Sequence, residues 1–345
     1  MGELGLLRYL VPEAPGGAPV GHPEDGASVD VRSLVLVREA LAQVSPMADA
    51  IFAVVGLGSY PVSAFGTDMQ RTALLGPLMR GEKITAFGLT EPEAGTDVAS
   101  LRTTAAPEGQ GFRLNGEKFL ISNVGIADVY TVFANESPEL GRRGISAFLV
   151  ERGAEGLTEE PLPMTSPHPL GALRFDQLAL PPGARVGASG QGFRIAMQTL
   201  DAFRISVGAA ANGMAARALA LALAHTKSRV QFGRPIAEQQ QVQAYLAEMA
   251  TDTDAARLLV LRAAHARDTG RPDVTRLAAM AKMFATESAQ RTIDRAVQLF
   301  GGRGVLLGAG AAALLRDIRP LRIYAGTTEI QPAVIAKRFP GRARP

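Results

Sequence analysis

The chain has 345 residues, a net charge of +3 from 36 Lys+Arg against 33 Asp+Glu, and a hydrophobic fraction of 47%. This supports a sizeable core in two or three domains and argues against long disorder; the small, spread-out positive excess does not imply nucleic acid. The absence of Cys excludes disulfides, Fe–S clusters and a thiol nucleophile, and the four His (His22, His168, His225, His265) stand at no metal-ligand spacing, which argues against a metal centre.

Residues 1–80 read mostly as helix. Apolar residues recur at helical spacing over 31–44 and again over 70–79. Pro and Gly punctuate expected loops at 12–17 and 56–61. The first ten residues carry Glu3 and lack a basic start followed by an apolar run, so no secretory leader is expected. The texture changes over 81–185. Alternation around Asn115-Gly116 signals a hairpin, and 129–134, 145–151 and 173–180 read as further short strands. From Gly192 the pattern is helical again, over 193–228, 238–269, 273–300 and 304–316. Four such segments with short links predict an antiparallel bundle. The most membrane-like stretch, 205–224, is Ala-rich and contains Asn212 and Arg217, so it reads as a buried helix. The expected class is α+β, mostly α: an N-terminal helical domain (1–80), a middle β-barrel or sandwich domain (81–190) and a C-terminal four-helix bundle (191–345). The expected location is the cytoplasm.

Five short segments carry polar chemistry beside a plain structural reading. Thr90-Glu-Pro-Glu-Ala-Gly-Thr-Asp97 is either a capped turn or a segment whose N–H groups and hydroxyls bind acceptors. In Lys118-Phe-Leu-Ile-Ser-Asn123, Ser122 can donate to a polar ring edge, or the strand is simply core. Arg229-Val-Gln-Phe-Gly233 suits a pyrophosphate and a flat ring, or is a glycine-capped helix end. Gln298-Leu-Phe-Gly-Gly-Arg-Gly304 is glycine-rich without being a phosphate-loop or dinucleotide fingerprint. Arg322-Ile-Tyr-Ala-Gly-Thr-Thr-Glu-Ile-Gln331 is a compact polar segment that an N-cap also explains.

Together, in this order, these segments resemble the acyl-CoA dehydrogenase family of flavoproteins. The resemblance runs from Gly5 to Gln331 and agrees with the helix–β–helix order read from periodicity. It implies FAD as cofactor. Phe87, Leu89, Thr90, Gly95 and Thr96 match its first flavin segment, with Thr90 at the ring edge and Thr96 near the flavin phosphates or the acyl-CoA chain. Leu120, Ile121 and Ser122 match the second, where the family often carries an aromatic residue in place of Leu120. Arg229, Gln231 and Phe232, and Gln298, Gly301 and Gly302, match segments that reach the FAD of a neighbouring subunit. Thr327 and Glu329 match further FAD contacts. Arg204, Tyr324, Ala325 and Gly326 match the substrate region, with Thr96 beside them.

The resemblance also implies α,β-dehydrogenation of an acyl-CoA thioester, a homotetramer built as a dimer of dimers, and electron-transferring flavoprotein as electron acceptor. Two positions depart from the pattern. Ala325 stands where the family's usual glutamate base belongs, and Phe203 stands at the alternative base position. Asp201 and Glu329 are the nearest carboxylates in sequence. Alternative readings are a base-less, non-catalytic FAD-binding subunit of a heteromer, or a flavin monooxygenase-like relative. The match begins at Gly5, where relatives already have helix behind them, so the N-terminus is expected to be short.

Overall fold

The computed structural model describes residues 1–20 and 28–339; His22 lies outside them. The helical periodicity of the N-terminal segment yields α1 (Val31–Val44), α2 (Pro46–Phe65) and α3 (Asp68–Arg80). A capping box starts α3: the Gln70 N–H donates to Thr67 Oγ1 at 3.2 Å, and the Thr67 N–H donates to Gln70 Oε1 at 2.9 Å. Gly81 ends it at φ 79°. The expected loop at 56–61 is instead the middle of α2. Gly58 is there for close packing, since a Cβ would lie 2.7 Å from Ala86 O and from Thr85 Cβ. The Thr85 and Thr131 hydroxyls donate to the carbonyls of Val55 and Gly58 at 2.6 and 2.7 Å, which fixes that contact.

The middle segment forms β1 (Thr85–Gly88), β2 (Thr104–Glu108), β3 (Gly111–Ser122), β4 (Val129–Asn135), β5 (Ile145–Glu151), β6 (Leu157–Pro161), β7 (Leu170–Leu180) and β8 (Arg185–Val186). They make one sheet, ordered β6-β7-β3-β2-β4-β5-β8, with β1 pairing parallel to β4. Asn115-Gly116 is not a hairpin turn. β3 runs through it, and the register against β7 shifts between Leu114 and Gly116. Gly116 sits at φ 135°, where a Cβ would meet Thr103 at 2.8 Å, and Asn115 Oδ1 accepts the Gln177 N–H at 2.8 Å. The β2–β3 turn falls earlier, with Glu108 paired to Gly111.

The C-terminal segment forms α4 (Gly192–Ser228), a small hairpin of β9 (Val230–Gln231) and β10 (Arg234–Pro235), then α5 (Gln240–Asp268), α6 (Val274–Phe300), α7 (Gly310–Ile318) and α8 (Ile330–Ala336). The helix expected over 304–316 starts late. Gly301–Val305 is a tight 3-10 turn, and a Cβ on buried Gly304 would strike Val297 O at 2.3 Å.

Packing gathers these elements into two compact units: residues 1–30 with 50–200, and residues 31–49 with 201–345. The first has its core under the sheet, around Leu114, Tyr130, Phe148 and Leu173, with Val62, Leu89 and Ile195 in a second cluster. In the second, α1 joins the long helices. Val31, Val35 and Ala42 pack in one cluster with Ile205, Met214, Met249, Val260 and Ile293. The N–H groups of Val31 and Arg32 both donate to the Asp268 carboxylate at 2.9 Å. Alanines line much of this core, which lets helix axes approach closely. Pro46–Phe65 and Gly192–Ser228 are long and apolar enough to cross a membrane, yet 67% and 61% of their apolar windows are buried within the protein.

Candidate functional site

In the first unit, β1 leads into the 89–97 turn, where Glu91 and Ala94 exchange backbone hydrogen bonds of 3.1 and 3.2 Å. The Glu91 carboxylate is the anchor. It accepts the Arg102 and Thr103 N–H groups at 2.6 and 3.0 Å and the Lys118 ammonium at 2.7 Å. Lys118 is fully buried on β3 and also donates to Leu89 O at 3.3 Å. Burial pulls the Lys118 ammonium down to about 8 against the opposing pull of Glu91. Desolvation pushes the Glu91 carboxyl up, but Lys118 and the N–H donors outweigh it and hold it below the usual range. The Phe119 N–H donates to Thr90 O at 2.9 Å. These bonds bring Phe87, Leu89 and Thr90 alongside the end of β3.

At that end the register against β7 shifts again between Lys118 and Ile121. Strict alternation from Leu114 and Lys118 would turn Leu120 inward. The bulge instead puts Leu120 at φ 57° and 53% exposed, with Ile121 buried. Ser122 Oγ lies 2.7 Å from His168 Nε2. Asn123, at φ 67°, donates through Nδ2 to Thr85 O at 3.1 Å, while its buried Oδ1 has no partner among the described residues. Phe87 packs on Phe133 with ring centroids 4.9 Å apart. The result is an outward apolar side chain beside a hydroxyl. Gly95 and Thr96 lie on the exposed turn beyond.

In the second unit, the tip of the β9–β10 hairpin is Phe232-Gly233, with φ 53° and 80°. Positive φ at both central residues matches the strand twist. It also leaves Phe232 95% exposed. Beside it is an open cleft of about 510 Å³ lined by His225, Arg229, Gln231, Phe300, Gly301 and Gly302. His225 stacks on Phe300 at 4.2 Å and 14°. Desolvation, then the charges of Arg303 and Arg229, keep its imidazole below the usual range. Gly301, at φ 58° and ψ −141°, caps α6 by donating to Gln298 O. Gln298 itself is exposed.

The third group is the 322–331 segment. Ala325 and Gly326 have φ 54° and 91°. Two cations hold their carbonyls: Arg204 Nε donates to Ala325 O at 3.1 Å, and Lys282 Nζ to Gly326 O at 2.8 Å, with Gln331 Nε2 also at 2.8 Å. The Ala325 N–H makes no hydrogen bond among the described residues. Burial, with Arg204 adding to it, pulls Lys282 down to about 8. The Arg38 guanidinium, whose charge works against the rise of the Tyr324 phenol, is paired through two nitrogens to Asp49 at 2.7 and 2.8 Å and donates to Ser206 at 2.9 Å. Desolvation holds the Tyr324 phenol above its ordinary range.

Neither expected base position carries a proton acceptor, and the nearby carboxylates are engaged. Phe203 is a buried core side chain. Asp201 pairs with Arg204 at 3.0 Å. Glu287 accepts from Arg322 at 2.7 Å and Thr328 at 2.6 Å, which outweigh desolvation and hold it low. Glu329 is exposed; its own N–H and the Thr327 hydroxyl hold its carboxyl below the usual range.

His168, Lys282, Glu287 and the Arg38–Asp49 pair lie outside the quoted motifs, and Glu91 and Lys118 lie inside them without an assigned role. Lys118 carried a signal: it shares strand parity with apolar Leu114, and a lysine on an inward face needs a buried partner.

Three family profiles match the chain: "Acyl-CoA dehydrogenase, N-terminal domain" over 1–82, "middle domain" over 86–178 and "C-terminal domain" over 190–339. The chain belongs to the acyl-CoA dehydrogenase family. It is 41% identical over 335 residues to "Acyl-CoA dehydrogenase, short-chain specific" of Megasphaera elsdenii, covering 95% of this chain and 85% of that one. Among solved structures, butyryl-CoA dehydrogenase from Megasphaera elsdenii superposes with a TM-score of 0.91 at 37% identity, covering 96% and 86% of the two chains. A chain in a structure described as "Electron transferring flavoprotein of Acidaminococcus fermentans: Towards a mechanism of flavin-based electron bifurcation" gives 0.93 at 37% identity, covering 99% and 88%. PigA, solved with FAD and proline, gives 0.90 at 29% identity, covering 97% and 87%.

Proposed function

We propose that this chain is an FAD-dependent oxidoreductase of the acyl-CoA dehydrogenase type that lacks the family's ordinary base. FAD is the cofactor these family relationships support, and the residues present fit it. Leu120 offers an apolar surface to a ring, and the Thr90 and Ser122 hydroxyls suit its polar edge. Arg229 and the open backbone at Gly301 and Gly302 suit a pyrophosphate. Phe87, Leu89, Gly95, Thr96, Ile121, Gln231, Phe232, Gln298, Thr327 and Glu329 complete the cofactor set. In this reading the segments 1–80, 81–190 and 191–345 are the family's three domains. The cofactor site takes residues from two chains of a cytoplasmic homotetramer, and electron-transferring flavoprotein receives the electrons.

The observation that carries the reading is the Ala325 N–H, unpaired among the described residues, in a loop whose carbonyls at Ala325 and Gly326 are pinned by Arg204 and Lys282. A fixed donor polarises a thioester carbonyl, because negative charge grows on that oxygen as the α-proton leaves. FAD, when bound, supplies the acceptor for the β-hydride. What the chain withholds is the α-proton acceptor: a methyl stands at 325 and a phenyl at 203, and the surrounding carboxylates are tied up. General-base catalysis contributes roughly 10²–10⁴-fold, so turnover of ordinary acyl-CoA substrates is expected to be slow.

The engaged carboxylates favour one second reading, a non-catalytic FAD-binding subunit. Anaerobic titration of the FAD-loaded protein with saturated acyl-CoAs of increasing length separates the two. Slow bleaching with one chain length supports the oxidoreductase. No bleaching across the whole series, from a protein that holds FAD, overturns it in favour of the subunit.

A further inference from the structure

His168 lies in the 162–169 link between β6 and β7, outside every motif of the sequence, yet its Nε2 is 2.7 Å from Ser122 Oγ. The sheet builds this pair. Ser122 is in register with Leu170, and the Asn123 N–H donates to Pro169 O at 2.9 Å, so the backbones flanking both residues are tied together. Burial disfavours the imidazolium, with no charged side chain contributing, so the ring is neutral at pH 7. Its Nδ1 makes no hydrogen bond among the described residues, so nothing on the far side of the ring fixes the tautomer.

A neutral imidazole has one N–H and one bare nitrogen; a serine hydroxyl has one hydrogen and two lone pairs. The 2.7 Å bond can therefore run either way. With the proton on Nε2, His168 donates to Ser122 Oγ and the serine hydrogen is free to donate outward. With the proton on Nδ1, Ser122 donates its hydrogen to Nε2 and presents a lone pair outward. Exchange between the two moves one proton from one ring nitrogen to the other through solvent, with no net proton uptake.

We propose that Ser122 and His168 form a two-way hydrogen-bond switch that lets one hydroxyl serve the flavin ring edge in both oxidation states, His168 being the positioning residue. The proposal rests on the FAD reading above, in which Ser122 faces that edge. Flavin N5 is a bare acceptor when oxidised and carries a hydrogen when reduced. The first arrangement matches the acceptor and the second matches the N–H. Without His168, Ser122 can still donate to the oxidised ring. Facing an N–H, its own hydrogen would be stranded in a part-buried site, which is the costlier mismatch.

The test is the flavin midpoint potential of FAD-loaded His168→Phe. Affinity for reduced FAD should fall about tenfold relative to oxidised FAD, which lowers the two-electron potential by about 30 mV. His168→Gln, whose amide both donates and accepts, should recover most of the shift. An unchanged potential in His168→Phe, from protein that holds FAD, sinks the switch and leaves the flavin reading standing. A wild-type chain that takes up no FAD sinks both. Should His168→Phe fail to fold, imidazole ¹⁵N shifts of the wild-type holoprotein decide. A change of protonated nitrogen between oxidised and reduced protein supports the switch, and the same tautomer in both overturns it.

Discussion

Ala325 already occupies the left-handed region, at φ 54°. A glutamate placed there inherits a strain that alanine bears too, so the backbone is no obstacle to restoring the carboxylate. Its N–H and the pinned carbonyls are main-chain features that the substitution leaves in place. Ala325→Glu should therefore raise the rate of flavin reduction by an acyl-CoA at least about 10²-fold, read by anaerobic stopped-flow absorbance. A variant that binds FAD normally yet stays inert to every acyl-CoA would mean the pocket itself has diverged. Lys282 and Lys118 carry a second residue-scale consequence. Both are held down at about 8 by burial, below the ordinary lysine value, so the unfolded chain binds more protons than the folded one above pH 8. Stability then rises as pH rises from about 8 towards 10, by roughly 1 kcal/mol per pH unit for each lysine. Urea midpoints at pH 7.5, 8.5 and 9.5 check the sign, and Lys282→Met should flatten the slope by about half. A midpoint that falls over that range contradicts the assignment.

At the level of elements, glycines are where the sequence is easiest to misread. Gly56 to Pro61 has the composition of a loop, but Gly58 is the contact point of α2 with β1. Gly58→Ala would drive a Cβ to 2.7 Å from the Ala86 carbonyl, a backbone atom that cannot swing away. The expected cost is roughly 1–3 kcal/mol, read as a lower urea midpoint with an unchanged far-UV spectrum. Asn115-Gly116 misleads in the same way: the glycine makes room for Thr103 within a strand and turns nothing. The long helices were legible because their periodicity is local. The segments around Thr90, Ser122, Arg229 and Ala325 stand out in the sequence because each is a compact run of unusual residues. The partners that hold those segments were not legible, even where Lys118 signalled that it needed one. Glu91 and Lys118 are 27 residues apart, and Lys282 is 44 residues from Gly326. Pairing over such distances is fixed by sheet register and helix packing, which no local pattern encodes. The exposure of Leu120 depends on a bulge that reverses the alternation before it.

For the molecule as a whole, the features that bear on assembly are the 95% exposed Phe232 at a hairpin tip and the neighbouring cationic cleft with Arg229. An aromatic side chain held outward at positive φ costs backbone strain and covers nothing of its own unit, which suits a surface completed by another chain. If Ser122 and Thr90 serve the FAD of their own chain while Arg229 serves that of a neighbour, defects in the two groups must complement. A chain with Thr90→Ala and Ser122→Ala and a chain with Arg229→Ala should each hold FAD poorly. Mixed in equal amounts, unfolded and refolded together, they form hybrid dimers in half of the pairings. Each hybrid contains one site with every defect and one with none, by two-fold symmetry. FAD occupancy should therefore recover to about a quarter of the wild-type value, measured by bound-flavin absorbance after gel filtration. Mixing that recovers nothing, although the parental chains refold and associate, would mean that each chain builds its cofactor site alone.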